Sequence, residues 1–296
     1  EPRSFAIMDE AAERGVNFID TADVYPVPVA LESVGRTEAI VGRWLKGKRD
    51  DFILATKCRH PMGRRPNDAG LSRKHILDAI EASLRRLQTD YVDLYQVHAP
   101  DADTPIDETL RALEAIVQSG KARYLGCSNF KAWELAKALS TSERLGLARF
   151  DSAQPRYNLL SRDIESELLP LCVDQGVGLI VYNPLAGGLL TGKHHRGEPP
   201  AENTRFAVAG RIYRERYWNE ANFAAVERLQ EFFVPRGKRL THAAIAWVLR
   251  QPGITSAIVG ATSAEQLRDS LEAVTTTLDD EEMAQLNDVW YDLPRR

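Results

Sequence analysis

The chain has 296 residues, of which 44% are hydrophobic and 27% charged, and its net charge at pH 7 is -4. This balance is typical of a globular protein, and the negative charge excludes a bulk attraction to nucleic acid or acidic membranes. No apolar run reaches the about 20 residues that span a bilayer, and the polar start Glu1–Ser4 lacks a signal-peptide pattern. The sparse cysteines Cys58, Cys127 and Cys172 argue against a disulfide framework, so we expect buried thiols and a cytoplasmic location.

Short apolar runs alternate with amphipathic segments along the chain, beginning with a predicted helix near 4–14. The predicted strands, in chain order, are 16–21, 52–58, 92–98, 122–128, 152–158, 178–184 and 256–261. The predicted helices are near 36–46, 72–87, 107–119, 131–145, 161–175, 220–233, 241–251, 264–273 and 280–290. Because the strands are continuous apolar runs rather than strict alternations, the pattern favours a parallel sheet covered by helices.

Seven strands with crossover helices suit either a TIM barrel or a doubly wound sheet. No Pro-, Gly- or Ser-rich linker divides the chain, so we predict a single domain over 1–296. The stretch 186–217 is predicted to be a long loop of the functional kind. A barrel has eight strands and this chain opens on a helix, so in a barrel we expect the first strand to be missing from the given chain.

Three predicted strands end in ionisable residues of complementary chemistry. Asp20, Lys57 and His98 each follow an apolar run, and Tyr25 stands on the loop that leaves the first of these strands. In a parallel α/β barrel the carboxyl ends of the strands converge on one face, where active sites are built. We therefore expect these four side chains to lie close together.

The four residue types suit the reduction of a carbonyl group. A carbonyl that becomes an alkoxide during hydride transfer needs a proton, and a free tyrosine, with a pKa of about 10, is a weak donor near neutral pH. The ammonium of Lys57 lowers the pKa of Tyr25, Asp20 supplies the counter-charge, and His98 orients the carbonyl oxygen by donating a hydrogen bond. The alternative is a buried Asp–Lys pair with an incidental tyrosine and histidine.

The motifs NFIDTADVY, ILATK, YVDLYQVH, LGCSNF, YNPLAGGLLTGK and IVGATSAEQLRDSL stand in this order along the chain. In these motifs the chain resembles the aldo-keto reductase family from about residue 5 to 290, and most of all the bacterial members related to potassium-channel β subunits. The resemblance implies an α/β fold of the TIM (β/α)8 barrel type. It also implies the catalytic tetrad Asp20, Tyr25, Lys57 and His98.

The same resemblance implies a nicotinamide cofactor. Ser128, Asn129 and Gln154 would hold the nicotinamide carboxamide, and Tyr182 would stack on its ring. Residues that would line the pyrophosphate are Asn183, Pro184, Leu185, Ala186, Gly187, Leu189 and Lys193, with Arg205 as a phosphate clasp. Residues near the adenosine phosphate would be Gly260, Thr262, Ser263, Gln266, Asp269 and Ser270, at a helix start that attracts anions.

The family resemblance implies NADPH rather than NADH, but one residue points the other way. The 2′-phosphate of NADPH carries about two negative charges. A carboxylate at Asp269, near the adenosine ribose, would repel that phosphate and accept a hydrogen bond from the 2′-hydroxyl of NADH. We expect NADPH, with Arg205 or Arg268 as candidate cations.

Other oxidoreductase and metal patterns are absent from the sequence. The Gly-rich turn of a dinucleotide-binding fold is lacking, since Val181 stands where Gly176–Val177–Gly178 would need its third glycine. No tyrosine has a lysine four residues later, which excludes the short-chain dehydrogenase motif. The six histidines are scattered, so no metal site is expected. We expect His194 and His195 to be solvated, and His60, His75 and His242 to be surface or capping residues.

The substrate is expected to be a small-molecule carbonyl, selected by the loops 23–36, 59–71 and 206–219. Tyr213, Tyr217 and Trp218 are candidates to wall an aromatic or sugar-sized pocket, with ordinary loop packing as the alternative. Channel β subunits share this fold and cofactor, so a regulatory or sensor subunit with slow turnover is the alternative function. The oligomeric state is left open by the sequence.

Overall fold

A computed structural model of the chain describes residues 1–208 and 210–294. Within them lie seven strands: β1 (Phe18–Asp20), β2 (Ile53–Cys58), β3 (Val92–Val97), β4 (Ala122–Ser128), β5 (Phe150–Gln154), β6 (Gly178–Tyr182) and β7 (Ile254–Ile258). The α-helices there are α1 (Pro2–Glu13), α2 (Arg36–Trp44), α3 (Arg73–Leu87), α4 (Ile106–Gln118), α5 (Ala132–Leu145), α6 (Leu168–Asp174), α7 (Arg205–Val208), α8 (Gly210–Tyr217), α9 (Glu220–Phe233), α10 (Leu240–Leu249), α11 (Ala264–Leu271) and α12 (Asp280–Asp292). Short 3₁₀ segments include Asp163–Glu165 and Ala186–Thr191.

All seven predicted strands form, but three end two or more residues earlier than the apolar pattern indicated. β5 ends at Gln154 because Pro155 has no N–H to donate to the ladder, and β6 stops two residues before Pro184. β7 ends at Ile258, ahead of Gly260. The predicted helix at 161–175 is shorter, since α6 begins at Leu168.

The prediction of one long loop over 186–217 was wrong in its second half, where α7 and α8 form. On α8, Arg211 and Glu215 make an exposed ion pair one turn apart, with 2.6 Å between Nε and Oε1. Tyr213 and Tyr217 have the same spacing on the face that packs inward, and Tyr217 is fully buried. This spacing of four is the helical signal that the loop composition had obscured.

The described residues form two compact units. The first, 1–155 with 170–178, holds β1 to β5, which pair in parallel and in chain order. The second, 156–169 with the residues from 179 onward, holds β7 and all of β6 but its first residue, and these two strands also pair in parallel. This order of parallel strands and intervening helices confirms the predicted α/β fold of the (β/α)8 class, with seven strands present and α1 ahead of β1. The single domain over 1–296 stays a prediction.

Each unit has an apolar interior. In the second unit, Tyr157 stacks on Trp247 within a buried cluster that also contains Phe206 and Leu189. Cys58, Cys127 and Cys172 are free and buried, as the sequence predicted. Along the described residues no helix is long and apolar enough to cross a membrane.

Candidate active site

Strand register brings polar side chains onto one face of the first three strands. Asp20 on β1 pairs with Ala55 on β2, and Lys57 on β2 pairs with Gln96 on β3. Paired residues of parallel strands, and residues two apart along one strand, share a face of the sheet. Asp20, Lys57 and Gln96 therefore lie on one face, and His98 follows Gln96 at the same spacing.

The same face continues through β4 and β5, where Ser128 pairs with Gln154. Gly126, two residues before Ser128, has a structural task here. A Cβ atom at Gly126 would lie 3.0 Å from Cγ of Gln96 and 2.6 Å from Oγ of Ser152. The glycine therefore leaves the room that the Gln96 side chain occupies.

Lys57 forms an ion pair with Asp20 at the centre of this face. The Lys57 side chain is fully buried, and its ammonium donates hydrogen bonds to the Asp20 carboxylate and to the carbonyl oxygen of Thr21, the latter at 2.9 Å. The second oxygen of Asp20 accepts from the side-chain amides of Gln96, at 2.9 Å, and Gln154, at 3.0 Å. Both oxygens of Asp20 are thus committed, which makes this carboxylate a fixed counter-charge for a buried ammonium.

Backbone hydrogen bonds anchor the loop that carries Tyr25. The N–H of Asp23 donates to the carbonyl of Lys57 at 3.0 Å, and the N–H of Gly35 donates to Asp23 at 2.7 Å. Tyr25 is half-buried, and its ring centroid lies 5.7 Å from Nζ of Lys57 and 5.7 Å from the ring centroid of His98. The four tetrad residues predicted from the sequence are therefore close together in the first unit.

His98 is held as a neutral imidazole. The backbone N–H of His98 continues the strand ladder by donating to the carbonyl of Cys58 at 2.9 Å. Burial lowers the pKa of His98 to about 2, and the positive charges of Lys57, His60 and Arg59 act in the same direction. Its Nδ1 is buried without a hydrogen-bond partner among the described residues. Near neutral pH the ring therefore carries a single N–H group.

Behind the Tyr25 loop, Asp23 is a fully buried carboxyl group. Its burial, and next the negative charge of the buried Glu38, raises the pKa of Asp23 well above its ordinary value. Glu38 accepts hydrogen bonds from Thr56 at 2.5 Å and from Arg86 at 2.6 Å, so the nearby cation forms its ion pair with Glu38. Asp23 is then the buried carboxyl group whose pKa is raised at this site.

We expect Asp23→Asn to raise the free energy of unfolding at pH 8 by roughly 1–3 kcal/mol, the scale for a buried polar group. In the unfolded chain Asp ionises at about pH 3.9, whereas the folded-state pKa is raised. Wild-type stability therefore falls as pH rises from about 4 toward the folded-state pKa, and the amide removes this loss.

Urea denaturation at pH 4.5 and pH 8 tests this expectation. The gain should be larger at pH 8, and the exposed control Asp50→Asn should change little at either pH. A gain of equal size at the two pH values, or a loss at pH 8, would contradict the assignment of a protonated Asp23.

The residues predicted to hold a nicotinamide carboxamide adjoin the tetrad in the first unit. Ser128 donates its hydroxyl to the backbone oxygen of Gln154 at 2.8 Å, and the Asn129 amide donates to the backbone oxygen of His98 at 2.9 Å. The amide nitrogen of Gln154 donates to Asp20 and, at 3.1 Å, to Gln96. The side-chain atom of Gln154 that can serve a ligand is therefore its oxygen, an acceptor for a carboxamide N–H.

The segment predicted to line a pyrophosphate lies in the second unit and is closed by its own hydrogen bonds. The N–H of Gly187 donates to the Asn183 side chain at 2.7 Å, and the N–H of Gly188 donates to Leu185 at 2.8 Å. Gly187 has φ of 72°, and a Cβ atom there would lie 2.7 Å from the Tyr213 ring. The glycine therefore leaves the room that the Tyr213 ring occupies. The groups of this segment best placed to meet a phosphate are side-chain cations.

Two such cations are present. The exposed Lys193 reaches over Gly188, where a Cβ would lie 3.7 Å from its ammonium. The exposed Arg205 has its guanidinium 5.5 Å from the centroid of the Tyr213 ring. In contrast, Ala186 and Leu189 are completely buried in the apolar cluster of the second unit, which leaves these side chains a packing role.

The predicted adenosine-phosphate residues lie at and along α11. Ser263 caps the helix by accepting from the N–H of Gln266 at 3.3 Å. The Gln266 side-chain oxygen accepts from the Thr262 N–H at 3.0 Å and from its hydroxyl at 2.8 Å. Ser270 is buried and donates its hydroxyl to the Gln266 carbonyl. A Cβ at Gly260 would meet no atom within 4 Å, so its backbone is open to a ligand.

Comparison with known proteins decides the family. The Aldo/keto reductase family model matches residues 1–291. The chain belongs to the aldo/keto reductase family. The family to which the sequence motifs pointed is thereby confirmed, and with it oxidoreductase activity of the kind that uses a nicotinamide cofactor.

Relatives of this aldo/keto reductase include an uncharacterized oxidoreductase of Bacillus subtilis, 38% identical over 98% of this chain and 87% of the relative. A probable voltage-gated potassium channel subunit beta of Arabidopsis thaliana is 39% identical over 91% of this chain and 81% of its own. A versiconal hemiacetal acetate reductase of Aspergillus parasiticus is 34% identical over 97% of this chain and 87% of the relative.

Gln96 is the residue of this aldo/keto reductase site that the sequence analysis missed. It is completely buried, donates to Asp20 and accepts from Gln154. A signal was available, since Gln96 is a polar residue in the buried second half of β3, two residues before His98 and thus on its face.

Some histidine predictions were wrong. His60, expected at the surface or in a cap, is half-buried with its ring centroid 4.6 Å from that of His98. His194, expected in solvent, is buried against the rings of Phe206 and Trp218, while His195 is exposed. The burial of these two histidines depends on tertiary contacts, so neither the local spacing nor the neighbouring residues in sequence predict it.

Of the three aromatic residues considered for a pocket, Tyr217 packs inside the second unit. Its hydroxyl accepts from the side-chain amides of Asn158 and Asn183, at 3.0 and 3.1 Å. Trp218 contacts Phe206 and Phe223 in the same aromatic cluster. For these two side chains the alternative of ordinary packing describes the structure.

Proposed function

We propose that this aldo/keto reductase reduces an aldehyde or ketone, such as a ketosugar or an aromatic carbonyl, to an alcohol with NADPH, and that Tyr25 is the general acid. The observation that carries the proposal is the buried Lys57, paired with Asp20 on one side and 5.7 Å from the Tyr25 ring on the other. A fully buried cation beside a phenol is the arrangement that proton donation by tyrosine requires.

The bound nicotinamide supplies the hydride that adds to the carbonyl carbon. Tyr25 gives its phenolic proton to the carbonyl oxygen as negative charge develops there, so that the C=O group becomes CH–OH. The ammonium of Lys57 stabilises the tyrosinate that remains, by an amount on the order of a few kcal/mol at an effective dielectric constant of 20. Asp20 is the counter-charge of Lys57, and its two amide donors, Gln96 and Gln154, hold the carboxylate in place.

His98 orients the substrate in this scheme. Its neutral ring has one N–H, and because Nδ1 is the buried nitrogen, Nε2 is the one able to donate to a carbonyl oxygen. His60, whose ring lies at the edge of His98, limits the space on that side. A neutral His98 leaves the proton transfer itself to Tyr25.

The chemistry of the donor set fits a nicotinamide dinucleotide. In the first unit the Gln154 oxygen, with Ser128 and Asn129 beside it, suits a carboxamide. In the second unit, Tyr182 offers a half-exposed ring, and Lys193 and Arg205 offer cations for the pyrophosphate. The α11 start at Ser263–Gln266, with the open backbone of Gly260, suits the adenosine phosphate. Cytoplasmic location remains a prediction.

The alternative function is a nicotinamide-binding regulatory subunit with slow turnover, since the relatives include probable channel β subunits. A panel of ketosugars, steroids, aromatic aldehydes and methylglyoxal, followed by NADPH oxidation, separates the two. An enzyme should show sustained turnover with at least one carbonyl, with kcat on the order of 1 s⁻¹ or more. Oxidation of a single equivalent of NADPH, with no steady state for any carbonyl, would favour the regulatory subunit.

A further inference from the structure

Asp269 carries a negative charge on α11, the helix whose start is proposed to receive the adenosine phosphate. It is one turn after Gln266 on the same helical face, and about 9 Å along the axis from the cap Ser263 at a rise of about 1.5 Å per residue. At that range an unbalanced carboxylate repels a phosphate dianion and favours the uncharged ribose hydroxyl of NADH.

The structure gives this carboxylate two partners from α10 and its N-cap. The guanidinium of Arg239, the N-cap residue of α10, donates to Oδ1 of Asp269, and Nε2 of His242 lies 2.9 Å from the same oxygen. The Asp269 side chain is 26% exposed and His242 is 17% exposed, whereas Arg239 is 64% exposed. Arg239 therefore holds a positive charge against the Asp269 carboxylate, which is turned toward the start of α10.

We infer that Arg239 determines the preference for NADPH, because it balances the charge of Asp269 and so removes the repulsion of the 2′-phosphate. This inference rests on the proposed function, which places the adenosine phosphate at the start of α11. Neither Arg239 nor Asp269 belongs to the proposed catalytic tetrad, so Arg239 is expected to act on specificity and not on the chemical step.

The matched variant is Arg239→Gln, which keeps a polar side chain and removes the positive charge. Dissociation constants for NADP⁺ and NAD⁺ are measured by quenching of intrinsic fluorescence, with no substrate present. Wild type should bind NADP⁺ at least about tenfold more tightly than NAD⁺. Arg239→Gln should weaken NADP⁺ about five- to tenfold and NAD⁺ less than about twofold, and the difference should shrink in high salt.

Two further variants make the test specific. Arg239→Gln combined with Asp269→Asn should return NADP⁺ affinity to within about twofold of wild type, because the repelling charge is gone. Arg228→Gln removes an arginine from another exposed ion pair, with Asp292, and should leave both affinities unchanged. Thermal unfolding without cofactor shows that each variant is folded.

The outcomes distinguish a failure of the proposed function from a failure of the role inferred for Arg239. A wild-type protein that binds neither dinucleotide would overturn the proposed function itself. Three results, each with tight NADP⁺ binding by wild type, would overturn only the role of Arg239. They are an unchanged NADP⁺ affinity in Arg239→Gln, equal losses of affinity for NADP⁺ and NAD⁺, and a double variant that binds NADP⁺ as weakly as the single one.

Discussion

Tyr25→Phe should lower kcat by about 10²–10⁴, because the substitution removes the phenolic proton that neutralises the developing alkoxide. The ring of Tyr25 lies beside Lys57 and edge-on to His98, and phenylalanine keeps those ring contacts. Cofactor affinity should therefore change little. Steady-state rates with the best carbonyl of the panel, together with the dissociation constant of NADP⁺, measure both expectations.

Tyr124→Phe is the matched control, since Tyr124 belongs to the same unit and is 61% exposed on β4. It should reduce carbonyls at the wild-type rate. If Tyr25→Phe also retained nearly the full rate, Tyr25 would not be the proton donor, and the proposed chemistry would need another acid.

Lys57→Met should lower kcat and move the basic limb of the pH–rate profile to higher pH. Reduction requires a protonated Tyr25, so activity falls where the phenol ionises. Without the ammonium of Lys57 the tyrosinate loses its stabilising charge, and ionisation takes place at higher pH. The measurement is kcat/KM for one carbonyl across the neutral and basic range.

Stability needs a separate variant, because Lys57→Met alone leaves Asp20 buried without its cation, which costs about 3–5 kcal/mol. The double variant Lys57→Met with Asp20→Asn removes both charges and should fold more stably than the single one, with the same shifted limb. Lys74→Met, at an exposed pair with Asp78, should leave the profile unchanged. An unmoved basic limb in a folded Lys57 variant would assign that limb to another group.

Three members of the predicted tetrad stand out in the sequence because each of them breaks a local pattern. Asp20, Lys57 and His98 interrupt apolar strands at their carboxyl ends, and parallel strands bring those ends to one edge. The register then adds what the pattern lacks, since Lys57 pairs with Gln96 and both lie beside Asp20. Gln96 also breaks the apolar pattern of its strand, but only the contacts show that it donates to Asp20.

The same reasoning explains the errors around the site. Residues 205–217 have a loop-like composition, but Tyr213 and Tyr217 pack inward one turn apart, and this burial stabilises α8. His60 and His194 have unremarkable neighbours in sequence, and their surroundings come from residues far along the chain. The sequence around Asp269 gives no sign of its counter-charge, because Arg239, which donates to it, is distant in sequence.

The sequence by itself determined the order of strands and helices and the family, and it predicted the tetrad, with three members at strand ends and Tyr25 on the following loop. These follow from hydrophobic periodicity and from ordered motifs, which are properties of neighbouring residues. The tertiary structure alone decided the charge states and partnerships: the lowered pKa of His98, the raised pKa of Asp23, the bonds that immobilise Asp20, and the cation against Asp269. The physical reason is that a pKa or an ion pair depends on burial and on charges within a few ångströms, and folding brings these from anywhere in the chain.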